Sequence, residues 1–176
     1  KFSAWNLRLL QGFFSEASAG EEIFLRVDKD VLDDIGQDLG GDAGFIEAVR
    51  AGPSWRNPNS SLIQQILSLV RQRNVFQNLG PSDFKKSSML TVRSQLGGYI
   101  DPGGLDSTYR GLAAPTYLPY LAMLVRITTA SEQGGFYESL RETLDLKENF
   151  GPQQMASIWD AWADLESWTV VGSERF

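Results

Sequence analysis

Apolar residues recur every three to four positions over most of this chain, the period of a helix that buries one face. From Ser3 to Phe14 the pattern sets Trp5, Leu9 and Phe13 beside Leu7, Leu10 and Phe14, a broad helical face. Ser15 to Gly20 breaks it. Glu22 to Val27 alternates loosely through Ile23, Leu25 and Val27, which reads as a short strand. Asp28 or Asp30 then caps a short helix through Leu39, with acids in its first turn where the helix dipole favours them. Gly40 and Gly41 stop that helix, Asp42 caps another through Val49, and Gly52-Pro53 ends it.

Pro53 to Asn59 reads as a loop, and Ser60 or Ser61 opens the clearest helix in the chain, to about Arg73. Its apolar positions Ile63, Ile66, Leu67 and Val70 follow the i, i+3, i+4, i+7 rule, and Arg71 and Arg73 fall in its expected last turn. Residues 74–114 are punctuated by Gly80-Pro81, Gly97-Gly98 and Asp101-Pro102-Gly103-Gly104, with Met89 to Leu96 a short helix or strand. Pro115 suits the first turn of a helix to Ala130. Two more helices are expected, Phe136 to Leu146 and Pro152 to Trp168. In the second, Met155, Ile158, Trp159, Trp162 and Leu165 form one stripe, with Asp160, Asp164 and Glu166 off it. The expectation is a mainly α-helical single domain over residues 1–176, with at most one small β element.

Composition narrows the chemistry. The 176 residues contain no histidine and no cysteine. A Ser-His-Asp triad, a Cys-His pair and a zinc site built from His or Cys are therefore impossible within this sequence. Without cysteine there is no disulfide scaffold, which suits a reducing, cytoplasmic setting. No apolar run approaches the roughly 18 residues that span a bilayer, so no membrane partner is expected. The sequence begins at Lys1 rather than Met and reads as a segment of a longer polypeptide.

Charge is unevenly spread. Residues 1–50 carry ten acids and five bases, residues 51–126 three acids and eight bases, and residues 127–176 nine acids and three bases. One reading folds the acidic ends back on the basic middle. The other makes Arg71, Arg73, Lys85, Lys86 and Arg93 a patch for nucleic acid or an acidic partner, with Tyr99, Tyr109, Tyr117 and Tyr120 flanking it. Asp28, Asp30, Asp33, Asp34 and Asp38 form the densest acidic cluster. On one helix Asp30, Asp34 and Asp38 would share a face, the starting point for a carboxylate-dependent metal hydrolase. The bland reading is a solvated, capped helix. Leu32 and Asp33 break the calcium-loop pattern, and Gly36 to Gly44 lacks the Gly-Lys-Ser/Thr ending of a phosphate loop. The tryptophans Trp159, Trp162 and Trp168 read as core before they read as a stacking platform.

Four phrases, Ala19-Gly-Glu-Glu-Ile-Phe-Leu-Arg-Val-Asp28, Gly41-Asp-Ala-Gly-Phe45, Tyr117-Leu-Pro-Tyr-Leu121 and Leu165-Glu-Ser-Trp168, resemble segments of large multidomain bacterial proteins linked with anti-phage defence gene clusters. The resemblance implies a bacterial, cytoplasmic segment of a longer protein and assigns no site residue. The expected function is a non-catalytic helical module docking onto partner domains or subunits, with no cofactor. Nucleic-acid binding through the basic middle is the alternative, and a metal hydrolase the third reading.

Overall fold

The computed structural model describes residues 1–14, 25–54, 56, 59–77, 108–109, 112–113, 115–130 and 135–173. The described chain is mainly helical: α1 (Phe2–Phe14), α2 (Lys29–Ile35), a 3-10 turn (Gln37–Leu39), α3 (Gly41–Ala51), α4 (Leu62–Gln77), α5 (Leu118–Ala130), α6 (Phe136–Leu144) and α7 (Pro152–Ser173). The β structure among the described residues is a two-residue antiparallel pair, β1 (Thr108–Tyr109) with β2 (Leu112–Ala113), in the register Thr108 to Ala113.

The centre of the fold is α5. Every residue from Leu118 to Leu124 is buried, and Arg126 is its one charged side chain. A helix that is apolar on all sides has to be covered on all sides. Helices α1 and α3 pack on it and on each other, α6 packs on α5 and α3, and α2 lies on α3 and α1. Helix α4 pairs with α7. One continuous core joins both groups, from Trp5, Phe45 and Leu121 to Ile66, Leu69 and Ile158. Polar bridges reinforce the junction: Tyr120 Oη donates to Gln65 Oε1 at 2.6 Å, and Tyr117 Oη donates to Asp164 Oδ2 at 2.5 Å.

The helix boundaries have local causes, several of them different from the sequence expectation. Asp28 caps α2 by accepting the Val31 N–H at 3.0 Å. That helix does not run through Leu39. It stops at Ile35, because Gly36 passes under the ring of Trp5 and the chain then tightens into the 3-10 turn. Gly40, at φ 91°, makes the left-handed step expected of a helix stop. Asp42 does not cap α3; it lies within the first turn. Its backbone N–H is taken instead by Asp33 Oδ1 at 2.9 Å, from the preceding helix.

Ser61 and Gln64 form a reciprocal capping box at the start of α4. The helix continues to Gln77, so Arg71 and Arg73 are not in its last turn. Its buried line is Leu62, Ile66, Leu69 and Val70 with Gln65, while Ile63 and Leu67 are half-buried. Pro115 precedes α5 rather than opening it. Helix α6 ends two residues earlier than the periodicity predicts. Asp145 turns left-handed at φ 51°, and the Leu146 N–H closes back on the Arg141 carbonyl, a Schellman ending. Helix α7 runs past Trp168 to Ser173. Leu25 to Val27 are irregular rather than strand, with Val27 buried. The remainder of the Glu22–Val27 reading, the Ser15–Gly20 break, Met89–Leu96 and Gly97–Gly104 lie outside the described residues.

Candidate functional site

Of the basic residues expected to form a patch, the described part of the chain includes one side chain. Arg71 is exposed on α4. Arg73 follows on the same helix, with its side chain outside the described part, as are Lys85, Lys86 and Arg93. Tyr117 and Tyr120, expected to flank the patch, are buried and hold α5 to α7 and α4. Tyr99 and Arg110 lie outside the described residues.

Other arginines are spent on helix ends. Arg8 donates to the Ile35 carbonyl at the end of α2, Arg56 to the Arg50 carbonyl at the end of α3, and Arg50 to the Thr143 carbonyl near the end of α6. Each guanidinium supplies donors to carbonyls that a helix terminus leaves unpaired, at the end where the dipole favours a cation. Arg126 reaches from α5 to Asp42 of α3 with two hydrogen bonds, 2.5 and 2.8 Å. These groups build the fold.

The acidic cluster divides in the same way. The break at Gly36 takes Asp38 off the helix that carries Asp30 and Asp34, and Asp38 pairs with Arg8. Asp28 pairs with Arg26, and Asp33 with Lys29. The Val31 N–H, with help from Arg26, holds the Asp28 carboxyl below the usual carboxylate range. Lys29 and the Asp42 N–H do the same for Asp33, and Lys29 itself is raised by that contact. A carboxylate held in its ionised form by donors is a weakened base. Among the described residues, no group of three or more Asp or Glu side chains is placed to hold a metal ion.

The feature that periodicity missed is on α7. The stripe read from sequence included Trp159. The structure buries Ile158, Ala161 and Leu165, half-buries Met155 and Trp162, and leaves Trp159 66% exposed. Trp168 lies on the same helix with its side chain outside the described part. The signal was present in the neighbours. Ala156 and Ala163 lie one turn to either side of Trp159, and Asp160 follows it; all three are exposed. A helix packed through this line would have larger apolar residues at those two turns. Over its 22 residues α7 carries Asp160, Asp164 and Glu166 and no lysine or arginine. With Asp164 tied to Tyr117, the exposed carboxylate next to the indole in sequence is Asp160.

No helix among the described residues is long and apolar enough to cross a membrane. No family model matches the chain, and no curated protein or solved structure matches it.

Proposed function

We propose that this chain is a non-catalytic helical docking module of a larger bacterial assembly, of the kind linked with anti-phage defence, and that it meets its partner domain or subunit through α7. The observation that carries this reading is the exposed indole of Trp159. Tryptophan is among the residues that most often anchor protein interfaces, because a large rigid ring gains much from desolvation at little conformational cost. The arginines and carboxylates around the core are, by contrast, engaged in helix capping and ion pairs. The setting in a bacterial defence protein rests on the four sequence phrases alone.

The test is site-specific photocrosslinking in a bacterial host that carries the parent polypeptide. A benzophenone amino acid placed at position 159 is expected to give a discrete protein adduct. The same group at exposed Gln37, beyond α2, is expected to give none. Absence of an adduct from position 159 removes the docking reading.

Nucleic-acid binding is a second reading, favoured by the exposure of Arg71 and by the excess of bases in residues 51–126. Its affinity would fall steeply with salt. Binding of labelled duplex or single-stranded DNA that disappears when Arg71, Arg73, Lys85 and Lys86 become Ala supports it. No binding at low salt ends it.

A further inference from the structure

We draw no further inference here: the strongest candidate, the exposed face of α7 around Trp159, carries none because nothing in the structure shows what covers it.

Discussion

The indole of Trp5 occupies the space that any side chain at Gly36 would need. A Cβ on Gly36 would fall 1.9 Å from Cη2 of Trp5 and 2.5 Å from Cζ3. The contact sets where α2 ends and seats the 3-10 turn against α1. Trp5 is fully buried and meets Phe45 edge-on, with ring centroids 5.2 Å apart, so it has little room to retreat. Gly36→Ala is expected to destabilise the fold by about 1–3 kcal/mol, the usual cost of overpacking. The atoms in contact belong to the six-membered ring of the indole. Phenylalanine reaches less far, so adding Gly36→Ala to a Trp5→Phe protein should cost clearly less. Urea unfolding of the two single variants and the double variant measures the coupling. Strict additivity would mean that the ring does not exclude the methyl group.

Asp42 and Arg126, 84 residues apart, join α3 to α5 through a two-pronged ion pair whose side chains are 12% and 19% exposed. At that burial, removing one member leaves its partner poorly solvated. Arg126→Ala is expected to cost about 2–4 kcal/mol. The pair Asp42→Ala with Arg126→Ala should cost less than the two single losses combined, because no charge is stranded. A double-mutant cycle by thermal or urea unfolding checks this.

Asn6 is a buried clamp. Its Nδ2 donates to the Pro115 carbonyl at 2.7 Å, and its Oδ1 accepts the Leu118 N–H at 3.1 Å. It thereby caps α5 from α1. Asn6→Leu keeps the bulk and strands both backbone groups, and is expected to cost about 2–4 kcal/mol at roughly 1–3 for each unsatisfied group. Asn6→Asp restores the acceptor but not the donor, so its deficit should shrink as acid protonates the new carboxyl. Stability of both variants as a function of pH tells the clamp from mere packing.

Acid should loosen the elbow between α2 and α3. Asp28 and Asp33 have lowered pKa values in the folded protein, through the Val31 N–H and through Lys29 with the Asp42 N–H respectively. A carboxyl with a lowered folded pKa contributes stability that is complete above its unfolded value, near 3.8. That contribution is lost as pH falls through the folded value. Lys29 is the opposite case. Its raised pKa contributes below the ordinary 10.5 and is lost as alkali carries pH through the folded value. Asp33→Asn is expected to melt lower than the parent at neutral pH and to show a shallower decline in acid. Parallel melting curves from neutral to about pH 2 would count against the role of Asp33.

Much of the helical plan was legible from local pattern. Capping by Asp28, the stop at Gly40 and Gly52, the Ser61 start and the cores of α1, α4, α5, α6 and α7 all follow from residues within about one turn of each other. The faces were less legible. Leu7 is 50% exposed while Asn6 beside it is buried, because Pro115 and the start of α5 offer Asn6 two hydrogen-bond partners more than a hundred residues away. The stripe of α4 moved by one position toward Leu62 and Leu69, where α7 packs. Trp159 went from expected core to exposed surface for the converse reason: α4 and the rest of the core meet Ile158, Ala161 and Leu165 instead.

The candidate basic patch was legible only as composition. Whether cations converge depends on contacts between distant segments, which no run of neighbouring residues contains. The sequence by itself determined which stretches are helical, several of their caps and which chemistries are impossible, since periodicity, caps and the lack of His and Cys are local or compositional facts. Tertiary structure alone decided that Trp5 ends α2, that Asp42 answers Arg126, and that Trp159 is left for solvent. Burial and pairing are set by what packs across the core, and no window of neighbouring residues contains that information.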